Sequence, residues 1–221
     1  MFLFLASTAL ADAALIICEP PTVTGLVPYI ASTDVPVDIQ PAAVWTACQE
    51  GTLRLTLSQD GEVLAEEQFT ASGAGVSRLT LTDQLLPLTE YTLVVEGQAL
   101  HEVVFTTGEG LAQAPVTPTV QEEEAWAWKD GDGWLLNAGV WVKSEDPGLF
   151  DVVVLLNEDG EVVDADMAEY NPSLWLERHV DERPEEICLT AAIEDAAGVR
   201  TEQEPICMEV ESNALGCSSA A

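Results

Sequence analysis

Thr52-Leu53-Arg54-Leu55-Thr56-Leu57 decides the fold class. Its leucines alternate with polar residues at a period of 2, so all three lie on one face of an extended strand and the other face meets water. The same period recurs in Ser77-Arg78-Leu79-Thr80-Leu81-Thr82, in Tyr91-Thr92-Leu93-Val94-Val95 and through much of Trp134 to Lys143. Turn-forming residues stand between such segments: Asp60-Gly61, Gly73 to Gly75, Gly131-Asp132-Gly133, Asp146-Pro147-Gly148, Asp159-Gly160 and Ala197-Gly198. Many short strands punctuated in this way predict an all-β fold of sandwich or barrel type.

The 221 residues hold one large domain or two small ones, and a composition shift places a boundary inside the chain. Gly108-Glu109-Gly110 gives way to Ala114-Pro115-Val116-Thr117-Pro118 and then Glu122-Glu123-Glu124, which reads as a semi-rigid spacer. The expected organisation is a sandwich over 14–109, a linker over 110–123, a second sandwich over 124–211 and a flexible tail over 212–221. A short internal repeat supports two copies of one architecture: Leu55 to Val63 matches Val154 to Val162 around a shared Asp-Gly-Glu-Val hairpin. With 39 acidic and 7 basic residues the net charge is −32, which excludes nucleic acid and anionic lipid surfaces as electrostatic partners. The chain is nevertheless 48% apolar, too much for an acidic disordered polymer, so the charge belongs on the outside of a folded body.

The first residues, 1–13, read as a secretory signal with A-x-A cleavage candidates at Ala9-Leu10-Ala11 and Ala11-Asp12-Ala13. The alternative is a buried first strand. No other apolar run approaches the length of a bilayer span, so no transmembrane span is expected in the mature chain. Export agrees with the cysteines. Cys188 and Cys207 are centred on the turn Glu194-Asp195-Ala196-Ala197-Gly198, and a hairpin turning there brings them opposite each other, within disulfide reach. Cys18 and Cys48 pair if a first strand carrying Leu15-Ile16-Ile17-Cys18 runs antiparallel to one ending at Ala47-Cys48. Cys217 is the odd cysteine, in a small-residue tail.

Leu85-Leu86-Pro87-Leu88-Thr89-Glu90-Tyr91-Thr92-Leu93 resembles the segment before the sixth strand of fibronectin type III and bacterial Ig-like domains. The resemblance implies a tyrosine corner, in which Pro87 and Thr89 shape the bend and the Tyr91 hydroxyl bonds to an upstream backbone group. Val103-Val104-Phe105-Thr106-Thr107-Gly108 resembles the last strand of bacterial Ig-like domains, and Asp34-Val35-Pro36-Val37-Asp38 resembles their opening segment. In the second half, Cys188 to Gly198 is similar to the sixth strand and turn of a fibronectin type III module. The fold implied is two tandem Ig-like antiparallel β-sandwiches. Tandem pairs of this kind resemble exported proteins of myxobacteria and their relatives, and Gly216-Cys217-Ser218-Ser219 resembles the start of their C-terminal sorting tails.

No catalytic motif accompanies this architecture. The two histidines, His101 and His179, fall in different halves, and H-E-x-x-H, G-x-S-x-G and the P-loop pattern are absent. No cofactor is expected, with calcium the one ion the abundant carboxylates leave open. Asp130-Gly131-Asp132-Gly133 opens like a calcium loop, but its twelfth position is Trp141, so it reads as a hairpin turn. Asp164, Asp166, Glu169 and Asn171 are a candidate inter-strand site, with Glu122 to Glu124 as further candidate ligands at the domain junction. Trp126, Trp128, Trp134, Trp141 and Trp175 crowd the second half, and Trp126 and Trp128 share one strand face with Trp134 across a tight turn. The preferred reading places that face in the core; turned outward, it is a platform for carbohydrate or peptide. The functional expectation is therefore a non-enzymatic exported module for adhesion, scaffolding or spacing, with a protein or glycan partner. The alternatives are a ligand-binding module using Trp126, Trp128 and Trp134, a periplasmic chaperone, and an enzyme accessory domain.

Overall fold

The computed structural model describes residues 20–29, 31–143, 148–168 and 172–212. The expected signal segment, Cys18, Asp146, Pro147, Glu169, Asn171 and the tail with Cys217 lie outside them. Among the described residues the chain forms fourteen strands.

Five strands make the first half: β1 (Thr22–Val27), β2 (Ala42–Gln59), β3 (Glu62–Arg78), β4 (Glu90–Glu96) and β5 (Leu100–Thr106). Strands β2 and β3 are long because each serves two layers. Their register jumps between Ala47 and Gly51, opposite Gly73, whose φ of 73° is open to glycine without strain. On one side of this bend, β1, the start of β2 and the end of β3 pair; on the other, the start of β3, the end of β2, β4 and β5 pair. Three segments therefore face four, the arrangement of an Ig-like sandwich whose strands switch sheets at a bulge. Leu53, Leu55 and Leu57 are fully buried between the layers with Leu93, Val95 and Phe105. The Tyr91 hydroxyl accepts the Leu86 N–H at 2.8 Å, and the Thr89 hydroxyl donates to the Pro87 carbonyl at 2.9 Å.

The second half repeats this plan with β6 (Thr119–Asp130), β7 (Gly133–Lys143), β8 (Val152–Leu156), β9 (Val162–Met167), β10 (Ser173–Val180), β11 (Glu186–Glu194), β12 (Arg200–Glu202), β13 (Ile206–Glu209) and β14 (Glu211–Ser212). One sheet runs β10-β7-β6-β14, and the other runs β12-β11-β8-β9 with β13 also on β11. The repeated Asp-Gly-Glu-Val hairpins join corresponding strands, the end of β2 to β3 and β8 to β9. Cys188 pairs with Cys207 in register, and the two form a disulfide with Cα atoms 4.0 Å apart. Cys48, in the bulge of β2, is disulfide-bonded.

The two sandwiches stack face to face. All five residues of β8, Val152-Val153-Val154-Leu155-Leu156, are buried. Val153 and Leu155 join the core of the second half, with Leu136, Leu174, Leu189 and Ile193. Val152, Val154 and Leu156 join the core of the first half, with Val44, Phe150 and Ala192. Gly25 lies under Met167, where a Cβ would sit 3.0 Å from Met167 Cγ, and Tyr29 packs on Phe150 with ring centroids 5.9 Å apart. Glu194 seals the junction: one carboxylate oxygen accepts from Arg78 Nε of the first half at 2.9 Å, the other from Arg200 Nη2 at 2.6 Å. Gln40 adds one further link, donating its N–H to the Ala196 carbonyl at 2.8 Å, and its own carbonyl accepts from Arg78 Nη1 at 3.2 Å within the first half.

The segment joining the halves is tied down along this junction. Val37 N–H donates to the Gly110 carbonyl and Ala112 N–H to Asp38 Oδ1, and β6 begins at Thr119. Glu122 to Glu124 thus belong to a strand and not to a spacer. An outer strand whose side chains meet water accommodates the charges a core strand would reject.

Glu194→Ala leaves the part-buried Arg78 without its carboxylate and Arg200 with only the exposed Glu202, and is expected to cost about 3–5 kcal/mol in urea unfolding, the range for removing one partner of a buried pair. A loss below about 1 kcal/mol, the range of an exposed pair, would show that the junction is solvated.

Candidate binding face of the second half

The sheet β10-β7-β6-β14 has one face on the core, and alternation dictates what the other presents. Ala125 and Ala127 of β6 point inward with Leu136, Ala138, Val140 and Val142 of β7 and Leu174 and Leu176 of β10. Their neighbours point outward. Trp126 lies opposite Asn137, Trp128 opposite Leu135, and Trp175 opposite Gly139. The expectation that Trp126 and Trp128 form the core is therefore corrected: leucines and valines of β7, β8, β10 and β11 already fill the space between the sheets, and alanines are the residues β6 turns inward there.

Trp134 separates from the other two. It shares the inward parity of Leu136 and packs at the rim of the core, its outer side covered by Lys129 Nζ at 5.2 Å and Arg183 Cζ at 5.9 Å from the ring centroid. Trp141 and Trp175 take its place on the outward face. Trp175 is the hub, edge-on to Trp126 at 5.4 Å and to Trp141 at 5.3 Å between centroids. It settles into the gap left by Gly139, where a Cβ would come within 2.4 Å of the indole. Its Nε1–H donates to Ser173 Oγ and its backbone N–H to Asp164 Oδ2, each at 2.7 Å. The outward parity of Trp141 was visible in the alternation of Trp134 to Lys143; the packing of Trp175 on a glycine of the neighbouring strand was not.

Carboxylates surround the aromatic cluster. Glu122 and Glu124 share its face on β6, and Glu177 does so on β10, where Glu177 Oε2 accepts from Asn137 Nδ2 at 3.2 Å. Beyond the β6 edge, a groove of about 570 Å³ separates β6 from β13 and is lined by Glu123, Glu124, Trp126, Glu209 and Glu211 beside Cys207 and Met208. Strand β14 pairs with β6 only at Trp126 and Ala127.

The other sequence-derived candidates do not assemble into a centre. Asp130 pairs with Gly133 across a two-residue hairpin turn, and His179 Nε2 lies 3.4 Å from Asp130 Oδ2 on open surface. His101 stands on β5 in the first half. Asp164 has both oxygens committed to backbone donors, Ala165 and Trp175, and Asp166 Oδ1 accepts from Met167 N–H. Among the described residues Glu186, Cys188 and Cys207 converge, but both sulfurs are in the disulfide and offer no thiolate to a metal. Among these residues no helix is long and apolar enough to cross a membrane.

No protein-family description and no curated protein matches the chain. It is similar to solved fibronectin type III-like and Ig modules. The fibronectin(III)-like modules of Clostridium thermocellum CbhA are 13% identical, with 88% of this chain and 96% of that chain covered and a TM-score of 0.28. The FN1–FN3 domains of chicken CNTN1 are 11% identical over 87% of this chain and 66% of that one, with a TM-score of 0.30. A chain from the complex of Dpr11 IG1 bound to DIP-gamma IG+IG2 is 14% identical over 87% of this chain and the whole of that chain, with a TM-score of 0.26. The assignment as an all-β protein of two Ig-like sandwiches rests on the strands and registers themselves.

Two carboxyls are held above their ordinary range by burial. Asp164, which anchors Trp175, is raised by desolvation against the pull of the Trp175 and Ala165 N–H groups. Asp151, beside the junction, is raised by desolvation against the Gly148 N–H, with Asp195 adding repulsion. A folded-state pKa above the unfolded one binds protons preferentially in the folded chain, so stability falls as pH rises through it and is regained on acidification. The urea midpoint is therefore expected to fall as pH rises from the ordinary Asp value of 3.8 through the folded-state pKa of these two groups, and Asp151→Asn, whose side-chain oxygen still accepts from Gly148, is expected to raise the midpoint above that range and flatten the slope. An unchanged slope in Asp151→Asn would show that this carboxyl is solvated.

Proposed function

We propose that this protein is a non-enzymatic, exported or surface-attached binding module that makes contact through the outer sheet of its second half. The observation that carries the reading is the placement of Trp126, Trp141 and Trp175 on the outward face of β6, β7 and β10, packed edge to face instead of buried in a core. Large aromatic side chains held rigid on an open sheet are what recognition surfaces use, because they offer contact area at low entropic cost. The disulfide between Cys188 and Cys207 and the Ig-like build are in keeping with an oxidising, extracytoplasmic setting. A spacer or scaffold role is the second reading, favoured by the face-to-face stacking, which makes the pair one stiff body.

The paired substitution Trp126→Ala and Trp175→Ala separates these readings. The chain and this variant are compared on a glycan array and against surface-immobilised peptides of varied charge, with unfolding midpoints measured alongside. The binding reading predicts retention of the parent chain on a defined ligand class and a drop of about tenfold or more for the folded variant. Equal retention of both proteins, or none by either, leaves the spacer role.

A further inference from the structure

We infer that the ligand of this face is cationic: an extended segment of a partner protein bearing arginine or lysine, laid along the β6 edge beside Trp126. The inference rests on the binding reading above and specifies its chemistry. Four carboxylates, those of Glu123, Glu124, Glu209 and Glu211, line the groove between β6 and β13, and its lining contains no Lys, Arg or His. The surplus of negative charge is thus local to the groove as well as global. Trp126 forms its aromatic wall, and a guanidinium over an indole gains cation–π attraction that the neighbouring carboxylates reinforce. Lys129 and Arg183 already make this contact with Trp134 elsewhere in the same half.

The edge of β6 adds main-chain donors and acceptors to this surface. Strand β6 bonds to β7 along its whole length, but on the opposite edge β14 covers only Trp126 and Ala127, leaving the stretch from Thr119 to Ala125 unpaired among the described residues. A strand edge of this kind accepts an added strand, with main-chain bonds supplying affinity and alternate side chains supplying specificity. Residues of an added strand that face the same way as Glu122 and Glu124 meet carboxylates, with the Trp126 indole at the end of the open stretch where β14 begins; positively charged side chains at alternate positions match that series.

The test uses the full chain and a short peptide alternating arginine with threonine, titrated by calorimetry at about 0.15 M NaCl to screen diffuse attraction. Three proteins are compared with the parent: Trp126→Ala; Glu124→Gln with Glu211→Gln; and a control of equal charge change far from the groove, Glu62→Gln with Glu66→Gln. The expected result is weakening of about tenfold in each groove variant and less than about twofold in the control. Equal weakening by groove and control pairs overturns the inference, because the peptide would then be reading net charge alone. Glycan binding that depends on Trp126, without peptide binding, overturns the cationic ligand and keeps the binding face. Absence of both from a folded chain overturns the face as well.

Discussion

Strand β8 gives both of its faces to apolar neighbours, and the rest of the architecture follows from that. Val153 and Leu155 serve one core while Val152, Val154 and Leu156 serve the other, so the sheet that carries β8 lies in the interior of a four-layer stack. A strand in this position has no wet face and no reason to alternate, and an uninterrupted Val/Leu run is the composition expected of it. Ala192 and Ile193 of the adjacent β11 divide in the same way. With the inner sheet committed on both sides, the open face of the second half is that of its outer sheet, and the tryptophans stand there.

Charge is distributed around this stack with little cation to neutralise it. Five of the seven basic residues are engaged within the protein: Arg78 and Arg200 converge on Glu194 at the junction, Arg54 pairs with Glu96 on the surface, and Lys129 and Arg183 lie over Trp134. The carboxylates lining the β6 groove, Glu123, Glu124, Glu209 and Glu211, have no basic residue beside them in that lining. Burying Glu194 between two arginines fixes the relative placement of the halves; the apolar contacts around Phe150, Met167 and Val44 supply the area.

Much of this organisation was legible in the residues. Alternation at Leu53-Leu55-Leu57 and Tyr91-Leu93-Val95 located strands with the correct faces inward, and the symmetry of Cys188 and Cys207 about one turn fixed their pairing. The stacking was harder to read because a fully apolar pentapeptide is equally at home in a strand buried on two sides and in the interior of a larger core. For Trp126 and Trp128 the period of 2 gave a shared face but not its direction; that was settled by Leu136, Val140, Leu174 and Leu176, which lie on other strands. Glu122 to Glu124 looked like a linker because charge density and strand character compete in such a window, and only the pairing with β7 decides between them. The groove between β6 and β13 joins segments some eighty residues apart and has no local signature.

Two sandwiches that share a core through β8 are expected to unfold as one cooperative body, and scanning calorimetry of the chain measures this. One transition, with calorimetric and van't Hoff enthalpies equal, is the predicted result. Two resolved transitions, or a van't Hoff enthalpy about half the calorimetric one, would contradict it and return the protein to two sandwiches that unfold separately.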